Sequence, residues 1–127
     1  MQYSDLLGTP FKLYGRDKTG IDCLGVVLEV YRRAGTPFPD PLEVLPTTPS
    51  LDAMLSTGET SEWSQVVGGY RERDVVLFRD SAGSLHVGVL VTPSRILHAT
   101  EAHGVVVSPL RYKQQSIEKV YRYRCQD

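Results

Sequence analysis

Residues 22–34 read DCLGVVLEVYRRA, in which Leu24, Val27, Leu28, Val30, Tyr31 and Ala34 are apolar while Glu29, Arg32 and Arg33 share one narrow stripe. Apolar positions at three- and four-residue spacing around most of the circumference predict a helix buried on most sides. Asp22 is suited to cap it, because a carboxylate can accept from the unpaired N–H groups of the first turn. Glu29 and Arg33 stand one turn apart as an ion pair, and Gly35 followed by Pro37 supplies the stop. Cys23 then takes the first helical position, where unpaired N–H groups and the positive end of the helix dipole favour a thiolate.

The pattern changes after this helix. From Thr36 to Pro49 there are five prolines, in PFPDP and PTTP, too many for a helix or a central strand, so an ordered surface loop or lid is expected. LDAMLST at 51–57 reads as a short helix capped by Ser50, and SEWSQVV after it fits neither period clearly. The second half consists of short runs rich in β-branched residues: DVVLF, SLHVGVLV, RILHAT, GVVVSPL and EKVYRYR, separated by polar or glycine-containing turns. They predict an antiparallel meander of about five strands. Helices first and strands afterwards give an α+β domain with N-terminal helices packed on one side of the sheet.

Length and charge narrow the function. The 127 residues suit one domain spanning 1–127, and 41% hydrophobic with 23% charged residues place it among globular chains. Fourteen basic and fifteen acidic residues leave a formal charge of -1, so no footprint for nucleic acid or an anionic membrane is expected. The opening MQYSDLLGTPF has no basic segment followed by an apolar run, and no stretch approaches the ~18 apolar residues of a spanning helix. Synthesis in the cytoplasm without a signal peptide is the expectation. Cys23 and Cys125 are the only cysteines and form no C-x-x-C pair, which argues against a disulfide framework or a thiol redox motif and leaves a single disulfide between them open.

Candidate chemistry lies with the histidines. A period of two puts His86, Gly88 and Leu90 on one face of their strand and Ile96, His98 and Thr100 on one face of the next, with Val87, Val89 and Val91 pointing the other way. If the two strands pair across TPS, both histidines share the sheet face expected to meet the Cys23 helix. A thiol needs a base within hydrogen-bond reach, and a second polar group must hold the base's other ring nitrogen. Cys23, His86 and His98 fit these parts. A cysteine that opens a helix is more commonly an apolar filler and a strand histidine is commonly structural, so it is the convergence of the three that points to catalysis. The same three side chains are acceptable zinc ligands, which is a further reading. His103, in the EAHG turn, is expected to be solvated.

GTPFKLYGRDKTGIDCLGVVLEVYRRAG resembles the opening signature of the NlpC/P60 peptidases, in which a G-x-P-aromatic stretch leads through a glycine-bearing turn into G-x-D-C-x-G and a helix. RERDVVLFRDSAGSLHVGVLVTPSRILHATEAHGVVVSPL resembles the rest: a G-D-x-V-x-F-type strand, H-V-G-I, and a strand carrying a third polar residue, twelve positions on, in an L-H-A context. PFPDP and VYRYR are similar to the phage tail-associated branch, the tail assembly protein K-like cell wall peptidases. The resemblance implies a papain-like fold, catalytic Cys23, His86 and His98, and no cofactor or metal. It further implies cleavage of peptidoglycan stem peptides, typically between the D-glutamyl γ-carboxyl and the diamino acid, with other phage tail proteins as partners. In the family the acidic residue of D-C-x-G helps bind the substrate's free amine, so Asp22 is a candidate substrate-binding residue as well as a cap.

Four positions depart from the pattern. Phe11 stands where many members have a tyrosine whose hydroxyl lies near the reacting carbonyl, and Tyr14 occupies a place usually held by glycine. Leu24 replaces the serine of D-C-S-G, and Arg73 replaces the glycine before Asp74. The missing hydroxyls leave open a different reading, a tail-tip module that keeps the fold and turns nothing over.

Overall fold

The computed structural model describes residues 2–35, 63–79, 82–83, 85–112 and 116–123. The proline-rich segment and LDAMLST lie outside the described residues, as does Cys125. A 3-10 turn at Ser4–Leu6 precedes a small hairpin of β1 (Arg16–Asp17) and β2 (Gly20–Ile21), which leads into α1 (Cys23–Arg33). The helix has the predicted signals: the Asp22 side chain accepts from the Gly25 N–H, and Arg33 Nε lies 2.7 Å from Glu29 Oε2.

Six further strands follow: β3 (Trp63–Gln65), β4 (Val75–Arg79), β5 (Leu85–Thr92), β6 (Arg95–Thr100), β7 (Gly104–Pro109) and β8 (Ile117–Tyr123). They form one antiparallel sheet in the order β3-β8-β4-β5-β6-β7. The expected sheet of about five strands is therefore six. The extra strand is β3, from the SEWSQVV run that fits neither period, and it pairs Trp63 with Tyr123. Only β4 to β7 form a meander; β8 returns across the sheet to pair with β4. One α-helix, α1, is present among the described residues, and the short helix expected at 51–57 lies outside them.

The two faces of the sheet have different burdens. Val75, Leu77, Val87, Val89, Val91, Leu97 and Ala99 form a core with Val26, Val27, Val30 and Tyr31 of α1. Tyr31, Trp63 and Tyr123 close one end, with ring centroids 5.1–5.8 Å apart. The opposite face holds a second cluster of Val76, Phe78, Leu90, Ile96, Leu110 and Val120. Each fully buried Val or Leu contributes about 1.5–3 kcal/mol, so the strongly apolar valine face takes the helix. Asp74, with no exposed surface, is neutralised by Arg122 at 2.8 Å and accepts from the Arg71 N–H.

This arrangement corrects one expectation. His86 and His98 do not lie on the face that meets the helix; they belong to the Phe78 face, and the valines between them meet α1. Burying three β-branched side chains under α1 outweighs burying imidazoles, which need polar partners.

Candidate active site

The turn before α1 is built to fix the helix start. A Cβ on Gly25 would lie 2.7 Å from the Gly15 carbonyl oxygen, so turn and helix meet backbone to backbone, and only glycine permits it. Asp22, buried at 6% exposure, ties the two together. Its Oδ1 accepts from the Gly25 N–H at 2.9 Å and from Arg16 Nη1 at 2.6 Å, and its Oδ2 accepts from the Tyr14 N–H at 2.9 Å. Both carboxylate oxygens are thus engaged within the chain. Tyr14 takes a left-handed backbone, φ 64°, and its side chain stands exposed beside that of Leu13. Phe11 is bridged to Ile21 and packs at the margin of the core.

Cys23 is half-buried against the core on the α1 side of the sheet and is a free thiol. Burial pushes its pKa above the ordinary value, opposed first by a hydrogen bond from the Val87 N–H and reinforced by the neighbouring Asp22 charge. The N–H groups of Leu24 and of Cys23 itself also favour the anion. The helix start therefore supplies donors, as the sequence implies, but desolvation wins and the resting group is a thiol. Its contact with Val87 places the sulfur beside β5, one residue along the chain from His86.

The histidines come together around Phe78. Its ring stacks on His86 at 5.8 Å and 21° and meets His98 edge-on at 5.7 Å and 88°. His86 faces Phe78 directly across β4 and β5. Among the described residues the β5–β6 ladder runs only from Val89↔Leu97 to Thr92↔Arg95, whereas β6 continues to pair with β7 as far as Thr100↔Gly104. The two strands therefore diverge where β5 carries His86 and β6 carries His98. Gly88 sits at the start of the divergence, where a Cβ would lie 2.6 Å from the Ile96 side chain.

His98 is buried at 4% exposure, and its Nε2 lies 2.9 Å from Ser108 Oγ on β7. His103 is exposed in its turn, as expected, its N–H donating to Thr100 Oγ1. Among the described residues no three His, Cys, Asp or Glu side chains are grouped to hold a metal ion. Sequence reasoning missed Phe78 and Ser108. Phe78 is signalled by the alternation of DVVLF, which sets it on one face with Val76; Ser108 becomes visible only once the β6–β7 register is known.

A helix that opens on a cysteine thus packs on an antiparallel sheet bearing two histidines. The sequence profile of the NlpC/P60 family matches residues 8–122, and the chain belongs to that family of cysteine peptidases. It is 31% identical over 111 residues to the murein DD-endopeptidase MepS/murein LD-carboxypeptidase of Escherichia coli (strain K12), covering 86% of this chain and 52% of that protein. It is 30% identical over 106 residues to the probable endopeptidase NlpC of the same strain, covering 81% and 60%. The chain thus spans about half the length of the first of these relatives and three-fifths of the second. In fold it is similar to an NlpC/P60 family protein from Bacillus cereus ATCC 10987, with TM-score 0.64, 20% identity, and 94% of this chain and 37% of that one covered. It is likewise similar to the NlpC/p60 domain of the peptidoglycan hydrolase SagA, with TM-score 0.60, 21% identity, and 92% and 89% covered.

Proposed function

We propose that the chain is a cysteine peptidase that hydrolyses amide bonds in peptidoglycan stem peptides, with Cys23 as nucleophile, His86 as base and His98 as the residue that orients the base. The observation that carries this reading is the meeting of the Cys23 thiol with β5 at Val87, next to a histidine pair gathered on Phe78. The thiol lies on the helix side of the sheet beside Val87, and His86 is the next residue along β5.

His86 takes the thiol proton, which is needed because burial holds Cys23 protonated. The thiolate adds to the amide carbonyl, the C–N bond breaks, and the amine leaves with the proton from His86. Water then attacks the thioacyl carbonyl, gives its proton to His86, and releases a carboxylate and the thiol. The Cys23 N–H is one donor for the oxyanion. Phe11 lacks the hydroxyl that the family commonly supplies, and one such donor is worth about 10²–10³ in turnover. Tyr14, exposed on the turn held by Asp22, is the candidate replacement. A substrate amine that binds Asp22 displaces Arg16, the side chain that pairs with its carboxylate among the described residues.

The relatives' names, murein DD-endopeptidase and probable endopeptidase, support the substrate class. The D-glutamyl to diamino acid bond follows the resemblance of the site motifs. PFPDP and VYRYR support a place in a phage tail, with other tail proteins as partners and local cell wall cleavage as the task. The losses at Phe11 and Leu24 favour a second reading, a tail-tip module without turnover. Mass spectrometry of purified stem peptides incubated under reducing conditions separates the two. The peptidase reading predicts cleavage next to D-glutamate by the wild type and none by Cys23→Ala. Intact peptides after prolonged incubation with folded wild type would overturn it.

A further inference from the structure

We infer that Ser108 is a positioning residue that holds His98 in the tautomer His86 requires; this rests on the proposed peptidase reading. Ser108 lies on β7, two residues from Val106, the direct cross-strand partner of His98, and so shares its face. Its Oγ is 2.9 Å from His98 Nε2 and is the side-chain contact that fixes this ring nitrogen. A neutral imidazole carries one proton, so whichever nitrogen donates leaves the other as an acceptor. For His86 to accept the Cys23 proton on one nitrogen, its other nitrogen must be protonated and must donate to His98. His98 must receive that bond on a lone pair. The Ser108 hydroxyl can donate or accept, and the need of His86 selects the pairing: a His98 protonated at Nε2 donates to Ser108 Oγ and presents the unprotonated Nδ1. The opposite tautomer would offer His86 an N–H where an acceptor is required. With His98 at 4% exposure, water is a poor substitute for the hydroxyl.

Ser108 thus extends the catalytic line by one member: Cys23, His86, His98, then a hydroxyl on the neighbouring strand. Ser108→Ala should lower kcat for stem-peptide cleavage about three- to tenfold, the upper figure corresponding to ~1.4 kcal/mol for one hydrogen bond, with KM unchanged. Ser108→Thr, which restores the hydroxyl on a strand that favours β-branching, should recover most of the loss. In a His98→Asn background, where there is no tautomer to set, Ser108→Ala should change kcat less than twofold. Nitrogen-15 NMR of the histidine ring reads the tautomer without turnover: Nε2–H His98 in the wild type and a mixture in Ser108→Ala. Pure Nε2–H His98 in both proteins, or an equal loss of kcat with and without His98, would overturn the inference. If the wild type cleaves nothing, the peptidase reading fails, and the NMR comparison still decides whether Ser108 sets the tautomer.

Discussion

Asp22→Ala removes three contacts at once, and the structure allows the loss to be built up. The N-cap bond to the Gly25 N–H at 2.9 Å is worth about 1 kcal/mol. The Oδ2 bond to the Tyr14 N–H at 2.9 Å is to a charged acceptor, and loses about 1.5 kcal/mol even though an exposed turn lets water reach the freed N–H. The Arg16 pair at 2.6 Å, with the arginine side chain 25% exposed, adds about 1 kcal/mol. These contacts share one carboxylate and are not strictly additive, so Asp22→Ala should cost about 3 kcal/mol. Asp22→Ser restores the cap alone and should cost about 2 kcal/mol. Urea denaturation followed by fluorescence of Trp63, the single and buried tryptophan, measures both. A loss below about 1 kcal/mol for Asp22→Ala would refute the assignment of Asp22 as the knot between turn and helix.

Three other outcomes follow from the same reasoning. Arg73 takes φ 73°, a left-handed backbone that explains why glycine is usual before Asp74, and its Nε is buried with no hydrogen-bond partner among the described residues. Arg73→Gly should raise stability by about 0.5–1 kcal/mol, seen as a higher thermal midpoint. Arg32 and Arg33 hold the Glu29 carboxyl at about 2, below its ordinary 4.5. Its contribution is complete above about 4.5 and is lost as pH falls towards 2, so Glu29→Gln should flatten stability against pH in that window and leave it unchanged in slope above. Cys23 has the opposite sign: burial raises its pKa, so the folded state binds the proton more tightly, and stability falls as pH rises above about 9. Cys23→Ala should remove that alkaline limb in pH-dependent denaturation.

Local signals made α1 legible. The cap at Asp22, the Glu29–Arg33 pair and the apolar stripe each depend on neighbours within a turn or two. The strands were legible for the same reason, since DVVLF and SLHVGVLV alternate with period two. What alternation leaves undetermined is which of two faces receives the helix. Both faces of β5 contain apolar residues, and the choice is settled by total burial, with Val87, Val89 and Val91 against α1 and Leu90 on the other side. The return of β8 to β4 and the pairing of β3 with β8 depend on contacts distant in sequence, beyond any window-based pattern. The divergence of β5 from β6 is a register property. So is the meeting of Ser108 with His98. Cys23, His86 and His98 were visible as residues because their types and spacing are unusual together. The expected favouring of a thiolate at the helix start was legible only in part: the donors are there, but sequence does not show how deeply the sulfur is buried.

Titrating activity against alkylation decides whether the reactive group of this chain is the Cys23 thiol prepared by His86. Wild type and His86→Ala are treated with iodoacetamide at pH 7, and peptide mapping by mass spectrometry follows Cys23 and Cys125 while stem-peptide cleavage is assayed on the same samples. Wild-type Cys23 should react ahead of Cys125, cleavage should fall in proportion to Cys23 modification, and His86→Ala should slow modification of Cys23 by at least about tenfold because burial then leaves it protonated. Cleavage that persists after Cys23 is fully alkylated would contradict the assignment of Cys23 as that group.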